Sequence, residues 1–264
     1  MYFESLRDRL FAEVSYPERL RDLMKEADSW RAFCALPPSI KERFVYPEHE
    51  GVWDLGYKLR KRSLGREDKE YFHYTPKNAE FLSYYKLGGL VKEHNAVSDF
   101  LQFGEALYGA VRELSLEIGR DLGRFVPILP TELEKGRDLL TLRFLHYTPE
   151  RSDDESLADA HFDRSGFTLH LFESHPGLQL LDWNMMWKDA PIRDGNTVIF
   201  TGYQLELQTK GELQKTWHRV IRKKDALGSG SRISIVLFVP FVDTPSYPKE
   251  ARAQDQRPSY VKRI

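Results

Sequence analysis

HFDRSGFTLHLF, residues 161–172, places a histidine and an aspartate, separated by one residue, directly before a short apolar segment that favours a β-strand. Side chains two residues apart on an extended segment point to the same side, so His161 and Asp163 can face one common point. The pair alone is a weak signal, because a surface hydrogen bond between the two side chains explains it equally well. The rest of the sequence has to decide whether the pair binds a metal ion.

Short segments that favour β-strands recur through the second half of the chain, separated by turn residues and without helices between them. They are LLTLRFLHY (139–147), FTLHLF (167–172), LQLLDW (178–183), NTVIFTG (196–202), KTWHRVI (215–221) and RISIVLFV (232–239). This spacing predicts an antiparallel sandwich or barrel, so the fold class is mainly β with α.

The first half of the chain has a helical pattern. Apolar residues at three- and four-residue spacing between residues 107 and 122 mark one face of a long helix. A second helix is predicted over residues 16–36, where Pro37 ends it. Residues 45–76, rich in glycine, tyrosine and charge, are predicted to be irregular.

Helices that buttress an all-β core would share its hydrophobic interior, so residues 1–264 are predicted to form a single domain. Within it we expect a mainly helical N-terminal layer over residues 1–125, a catalytic core over about 139–242 and a tail over 243–264. The tail is polar and contains proline, and either folds over the open end of the core or is disordered.

Composition excludes several kinds of partner and site. Charged residues make up 30% of the chain but cancel to a formal net charge of −1, so there is no basic excess for nucleic-acid binding. The single cysteine, Cys34, excludes an internal disulfide framework and a multi-cysteine zinc site. The N-terminal segment lacks the apolar region of a secretory signal, and no segment approaches the roughly 18 apolar residues of a membrane span. We therefore expect a cytoplasmic protein with no nucleic-acid or membrane partner, of undetermined oligomeric state.

A third candidate metal ligand lies on another predicted strand. Two imidazoles and one carboxylate on one side of an Fe(II) ion leave the remaining positions open for an organic cosubstrate and dioxygen. His218 in KTWHRVI can complete the pair at residues 161 and 163, because the chain has room to leave and return. His170 also lies on a predicted strand, and its side chain could face either the core or solvent.

RISIVLFV contains a second polar pair. Arg232 and Ser234 project to one side of this strand, toward the interior if Ile233 and Ile235 face outward. A buried arginine is costly unless an anion neutralises it, and its guanidinium matches a carboxylate. Such a pair could bind the far end of a dicarboxylate whose other end reaches the metal, whereas the simpler interpretation is a surface salt bridge.

Together, these sequence blocks resemble the iron(II)- and 2-oxoglutarate-dependent oxygenases of the isopenicillin N synthase-like family. HFDRSGFTLHLFESHPGLQLL is similar to the family's HxD block and the strands after it, and RISIVLFVPF to its RxSxxFF strand. TGYQLELQTKGELQKTWHRVI is similar to the block that ends in HRV, and LRFLHYTP to the strand LRxNxYPP. The resemblance extends more weakly upstream to AFCALPPSIKERF, and so covers most of the chain.

The resemblance implies a double-stranded β-helix, or jelly roll, with the metal at its open end. The residues implied as Fe(II) ligands are His161, Asp163 and His218. Those implied to bind 2-oxoglutarate are Arg232 and Ser234, at its distal carboxylate, and Tyr147, where a family tyrosine contacts cosubstrate or substrate. Three positions depart from the family pattern without touching the ligand set, namely Leu145, Tyr203 and Lys215.

The implied activity is oxidation of a small-molecule substrate by O2, with hydroxylation the commonest result and release of succinate and CO2. Because Asp163 supplies a carboxylate where halogenases of this kind carry a small residue, halogenation is not expected. An oxidase of the same fold that uses O2 without 2-oxoglutarate, for cyclisation or desaturation, is the first alternative. A jelly-roll binding module without catalysis is the second.

Substrate contacts are expected from the segment that roofs the mouth of the barrel. We expect Tyr57 to offer an aromatic surface there and Arg60 to pair with an anionic group. An ordinary solvated loop is the alternative. The sequence does not identify the substrate.

Overall fold

Two antiparallel sheets, packed against each other and covered by helices, make up the computed structural model of the protein. The structure describes residues 2–46, 55–60, 69–147, 156–193, 195–223 and 231–248. In these ranges the strands are β1 (Phe11–Ser15), β2 (Gly56–Arg60), β3 (Lys69–Tyr74), β4 (Thr141–Tyr147), β5 (Ser156–His161), β6 (Phe167–Glu173), β7 (Leu178–Leu181), β8 (Trp187–Asp189), β9 (Asn196–Thr201), β10 (His218–Ile221) and β11 (Arg232–Val239).

The strands form one larger and one smaller sheet. The larger has the order β1-β9-β6-β11-β4-β3-β2, and the smaller has the order β5-β10-β7-β8. Buried side chains from both sheets, among them Leu145, Ala158, Val220 and Val236, form one hydrophobic cluster. The two sheets therefore pack face to face, which confirms the predicted antiparallel sandwich.

Helices occupy the other face of the larger sheet. They are α1 (Tyr2–Arg9), α2 (Glu18–Leu23), α3 (Asp28–Cys34), α4 (Pro38–Lys41), α5 (Asn78–Tyr84), α6 (Gly88–Glu93), α7 (Asn95–Leu122), α8 (Leu129–Gly136) and α9 (Tyr203–Gln208), the last lying between β9 and β10. The predicted long helix is α7, which begins earlier than the apolar pattern alone indicates. Among the described helices, none has the length and hydropathy needed to cross a membrane.

Trp30 shows how the helices and the sheet share one core. Its ring, fully buried in α3, lies 5.0 Å from the ring of Phe100 in α7 and 6.1 Å from that of Phe144 in β4. All three belong to a cluster that also includes Ile233 and Ile235 of β11. The outward direction expected for these two isoleucines is therefore toward the helices, which leaves the opposite face of β11 for the space between the sheets.

The N-terminal half contributes more strand than the helical pattern indicates. FAEVS forms β1, paired with β9, and the segment 45–76, predicted to be irregular, contains β2 and β3. KEYFHY, which is β3, pairs along its length with β4. These segments obtain their backbone hydrogen bonds from distant strands, an effect of the fold that local periodicity does not report. The helix predicted over residues 16–36 is divided in two by a 3-10 turn at Met24–Glu26.

Only the first part of the predicted tail belongs to the described residues. Tyr247 is buried, with its ring 5.2 Å from that of Phe162 and 4.8 Å from that of Tyr203. The tail thus contacts the residue between His161 and Asp163. Residues 249–264 lie outside the described part of the chain.

Candidate metal centre

Two strand ends of the smaller sheet place the two predicted histidine ligands side by side. His161 is the last residue of β5 and His218 is the first residue of β10, and the two pair directly across the sheet. Their ring centroids lie 4.3 Å apart. The chain leaves the sheet after His161, and Asp163 follows in the loop that leads to β6.

The three predicted ligands converge. One ligand atom from each of His161, Asp163 and His218 lies within 4.8 Å of the other two. The closest measured pair is Asp163 Oδ2 and His218 Nε2, at 3.8 Å. Two imidazoles and one carboxylate in this arrangement are a donor set suited to a mononuclear Fe(II) ion with open positions.

Backbone carbonyls orient both imidazoles. His161 Nδ1 lies 2.6 Å from the carbonyl oxygen of Asp159, and His218 Nδ1 lies 3.2 Å from that of Thr216. Because a carbonyl oxygen only accepts a hydrogen bond, each Nδ1 must carry the proton and donate. The unprotonated Nε2 of each neutral ring is then available to a metal ion, which is the usual second contact of a metal-binding histidine.

Burial and neighbouring charge set the ionisation of the site. Burial raises the pKa of the Asp163 carboxyl, but His218 and then His161 outweigh burial and hold the pKa below its ordinary value. Burial, followed by the neighbouring His161, lowers the pKa of His218 to about 4. A deprotonated carboxylate and a neutral imidazole at pH 7 are the forms that bind a metal ion.

Two connected cavities meet at this cluster. The outer cavity has a volume of about 630 Å³, and the inner one, between the two sheets, has about 50 Å³. His161, Asp163, Lys69, Arg143 and Phe238 line both. The inner cavity also reaches the predicted cosubstrate residues Tyr147 and Ser234.

Arg232 is buried as predicted, but the structure supplies an anion of its own. Its Nη2 lies 2.5 Å from Glu173 Oε2, and its Nε donates to the carbonyl oxygen of His175 at 3.0 Å. Burial raises the pKa of Glu173, but His170 and then Arg232 outweigh it and keep the pKa below its ordinary value. The inference that Arg232 needs an external anion for neutralisation is therefore corrected, because Glu173 already neutralises its charge.

Polar atoms without partners remain beside this pair. Arg232 Nη1 and Ser234 Oγ are buried, and neither has a hydrogen-bond partner in the described structure. A buried donor without a partner costs free energy, and both atoms are donors that a carboxylate can accept from. Tyr147 lies next to them, with its ring centroid 5.5 Å from the Arg232 guanidinium carbon. The residues therefore fit the distal carboxylate of 2-oxoglutarate, although Glu173 adds a negative charge nearby.

The structure places the two predicted substrate contacts in different environments. Arg60 lines the outer cavity. Tyr57 is 3% exposed and belongs to the hydrophobic core, where its hydroxyl donates to Glu70 Oε2 at 2.7 Å. The geometry does not support the aromatic surface expected from Tyr57, because strand β2 turns this side chain toward the helices.

A second group of possible ligands is better explained as a structural network. Ligand atoms of Cys34, Glu70 and His146 also lie within 4.8 Å of one another. Lys41 Nζ, however, lies 2.6 Å from Glu70 Oε2 and also donates to the Cys34 carbonyl oxygen. An ammonium group at this position satisfies the carboxylate and repels a metal cation.

Two further charged residues lie around the cavities without being predicted from the sequence. Arg143 shares its strand face with Leu145 and Tyr147, so strand alternation could have placed it toward the interior. Strand alternation does not predict the position of Glu173. In the pairing of β6 with β11, Val236 lies opposite His170 and Ser234 lies opposite Glu173, with a register shift between them. This β-bulge brings positions of opposite parity to the same face.

Comparison with known proteins agrees with this geometry. Residues 139–240 match the family model of the 2OG-Fe(II) oxygenase superfamily. Over this segment the chain is similar to the 2OG-Fe(II) oxygenase superfamily. The matched segment contains all three predicted metal ligands and the predicted cosubstrate residues.

Curated relatives resemble the chain over part of their length. Clavatol oxidase claD of Penicillium crustosum is 31% identical over 155 residues, which are 55% of this chain and 45% of that protein. 1-Aminocyclopropane-1-carboxylate oxidase 4 of Solanum lycopersicum is 35% identical over 106 residues, 39% of this chain and 32% of that protein. The matched segment therefore spans less than half of either relative.

Solved structures show the shared fold. A full-length Neurospora crassa protein, crystallised in complex with alpha-KG, superposes with a TM-score of 0.72 at 18% identity, covering 90% of this chain and 78% of that one. The rice dioxygenase for auxin oxidation superposes with a TM-score of 0.62 at 20% identity, covering 94% and 80%. The predicted jelly-roll core with buttressing helices is thus confirmed.

Proposed function

We propose that this protein is a non-haem Fe(II)- and 2-oxoglutarate-dependent oxygenase that oxidises a small-molecule substrate with O2, with hydroxylation as the expected result. His161, Asp163 and His218 hold the metal. Arg232 and Ser234 hold the distal carboxylate of 2-oxoglutarate beside Tyr147. When bound, Fe(II) and 2-oxoglutarate supply the oxidising chemistry, which consumes O2 and releases succinate and CO2.

One observation carries this proposal. Three side chains of the Fe(II)-binding type converge where two cavities share lining residues, and the inner cavity is lined by Ser234, one of the two buried donors without partners. A structural role for these donors does not explain why Arg232 Nη1 and Ser234 Oγ are both left unsatisfied, since native proteins pair most buried polar atoms. A carboxylate that enters the inner cavity would accept from both.

The chain's own residues have distinct tasks in this proposal. The carbonyls of Asp159 and Thr216 keep the two imidazoles oriented, and Thr168 Oγ1 donates to Asp163 Oδ2 at 2.6 Å. This contact fixes the orientation of the carboxylate beside the two imidazoles. The apolar side chains between the sheets keep bulk water from the inner cavity.

The Arg232–Glu173 pair favours a second candidate function. With its guanidinium already neutralised, the site offers a dicarboxylate less electrostatic attraction than an unpaired arginine would. An oxidase of the same fold that uses O2 without 2-oxoglutarate, for cyclisation or desaturation, would need no free arginine. Formation of succinate in step with O2 consumption distinguishes the two, because only the first candidate produces it.

The direct test is spectroscopic. Fe(II) and 2-oxoglutarate are added to the protein without oxygen, and we expect the visible charge-transfer band of the chelate to develop. Replacing His218 with alanine should abolish the band. The control is His94→Ala, since His94 lies at the start of α7 and its side chain makes no capping hydrogen bond, and this variant should keep the band. A wild-type protein that shows no band contradicts the proposal.

The proposal extends to partners and location. A small molecule and O2 are the expected partners, and the cytoplasmic location expected from the sequence is retained. Cys34 is a buried free thiol, which fits a reducing compartment.

A further inference from the structure

The outer cavity carries an unusual concentration of positive charge. Among the described residues, four cationic side chains line it, namely Arg60, Lys69, Arg143 and Arg164. In the part of the chain that the structure describes, the acidic side chains of this lining are Asp159 and the candidate metal ligand Asp163. The whole chain has a formal net charge of −1, so this excess is local. Low-dielectric walls of one charge sign raise the local concentration of oppositely charged ligands.

Arg143 occupies the decisive position among these cations. It projects from β4 and lines both the outer and the inner cavity, as the ligands His161 and Asp163 do. A group bound by Arg143 therefore lies beside the candidate metal ion.

The guanidinium of Arg143 is held in place before any ligand arrives. Its Nε donates to His73 Nε2 at 2.5 Å, and its central carbon lies 4.5 Å from the centre of the Phe238 ring. A stacked guanidinium with a fixed plane loses little conformational entropy when it binds a carboxylate through two parallel hydrogen bonds. Arg60, by contrast, is exposed at the end of β2, where water weakens such an interaction.

We propose that the substrate of this site is a small organic acid whose carboxylate is bound by Arg143, with Lys69 and Arg164 adding positive charge. This inference rests on the proposed function, since it names the substrate class of the same site. The volume of about 630 Å³ suits a metabolite of ordinary size, and Phe162 and Phe238 offer apolar surface to its carbon skeleton.

A panel of paired ligands tests this substrate class without requiring turnover. Phenylacetate, benzoate, cinnamate and hexanoate are each compared with their primary amides, by ligand-observed NMR titration of the full chain. The titrations are run under argon, with and without Fe(II) and 2-oxoglutarate. We expect at least one acid to bind about 10-fold more tightly than its amide, since a charge-assisted pair is worth roughly one order of magnitude in affinity or more. A panel in which no acid binds more tightly than its amide overturns the inference.

Variants assign the preference to residues. Arg143→Gln should remove the preference for the acid. Arg143→Lys should keep part of it, because the positive charge remains but the pair of parallel hydrogen-bond donors is lost. Arg7→Gln, which changes an exposed arginine of α1, should leave the preference unchanged. An acid preference that survives Arg143→Gln contradicts the assignment. If Arg143→Gln does not fold, Lys69→Gln and Arg164→Gln carry the test, and each should reduce the ratio of acid to amide affinity.

The charge-transfer band separates this inference from the proposed function. A protein that shows the band but no acid preference leaves the oxygenase proposal intact and refutes the substrate class. A protein that prefers the acid but shows no band supports the substrate class and contradicts the oxygenase proposal.

Discussion

Arg232 and Glu173 form a buried ion pair in which Nη2 and Oε2 are 2.5 Å apart, with side chains 1% and 6% exposed. Two donors near this pair have no partner in the described structure, namely Arg232 Nη1 itself and Ser234 Oγ, and Ser234 lines the inner cavity. An incoming carboxylate must therefore share the guanidinium with an acid of the protein itself. Glu173 both holds the plane of Arg232 and reduces its net attraction for a dianion.

Replacing Glu173 with glutamine should tighten the binding of 2-oxoglutarate by roughly 10-fold, because the amide oxygen still accepts from Arg232 while the competing charge is gone. Without ligand, the variant should unfold more easily, since the buried guanidinium loses its counter-ion. Titration of the anaerobic charge-transfer band measures the first effect, and thermal unfolding measures the second. Weaker binding by the variant would mean that the ion pair serves mainly to position Arg232.

Removal of the proposed cosubstrate donors should weaken 2-oxoglutarate binding to different degrees. Ser234→Ala deletes one neutral donor and should raise the dissociation constant roughly 10-fold. Arg232→Ala deletes the charge as well and should raise it by about 100-fold or more. Ser98→Ala, which removes a surface hydroxyl of α7, is the matched control. Equal affinities in wild type and Arg232→Ala would remove the cosubstrate role from this residue.

Thr168→Val should weaken metal binding by about 10- to 100-fold, because the hydroxyl that orients the Asp163 carboxylate is lost while the side-chain shape is kept. Thr197→Val provides the control, since its buried hydroxyl donates to the carbonyl oxygen of His170 and not to a candidate ligand. Fe(II) affinity is measured by anaerobic equilibrium dialysis. Similar losses in both variants would show that the effect is general to buried threonines.

Glu70 should make stability depend on acid pH. Burial raises its pKa, but hydrogen bonds from His146 and Lys41 outweigh burial and bring the pKa to about 2, against an ordinary value of 4.5. Because the folded value is the lower one, the unfolded chain binds more protons between these two pH values. The contribution, on the order of 3 kcal/mol, is present above about pH 4.5 and is lost as pH falls toward 2.

Urea unfolding at pH 5.5 and pH 2.5 checks this expectation. The free energy of unfolding should fall more steeply with acid in wild type than in Glu70→Gln, whose amide does not titrate. Glu13→Gln, at a partly exposed ion pair with Arg193, should behave as wild type does. Parallel pH profiles for wild type and Glu70→Gln would contradict the assigned pKa.

Local sequence patterns predicted the elements whose own residues carry a strong signal. RISIVLFV is a strand over all of its predicted residues, 232–239, because β-branched and apolar residues fill both of its buried faces. SLADAH, which is β5, was not predicted, since it has no apolar alternation and its last three residues are exposed. It is a strand because β10 pairs with it. That pairing also brings His161 to His218, so the metal cluster depends on a strand that local patterns miss.

The residues of the site divide in the same way. The alternation of Arg232 and Ser234 follows from strand geometry and could be predicted. The spacing of His161 and Asp163 indicates the right two residues, although Asp163 lies in the loop after β5. Glu173 could not, because a bulge in β6 reverses its parity. Tyr57 was misplaced, since the sequence shows an aromatic residue without showing which face of β2 meets the helices.

The central claim, that one metal ion is held by His161, Asp163 and His218, is tested most directly by counting iron. Anaerobic titration with Fe(II), followed by iron analysis of the protein, should give one ion per wild-type chain and markedly weaker binding in His161→Ala, Asp163→Ala and His218→Ala. Wild-type protein that binds no iron, or three variants that bind it as wild type does, would contradict the account.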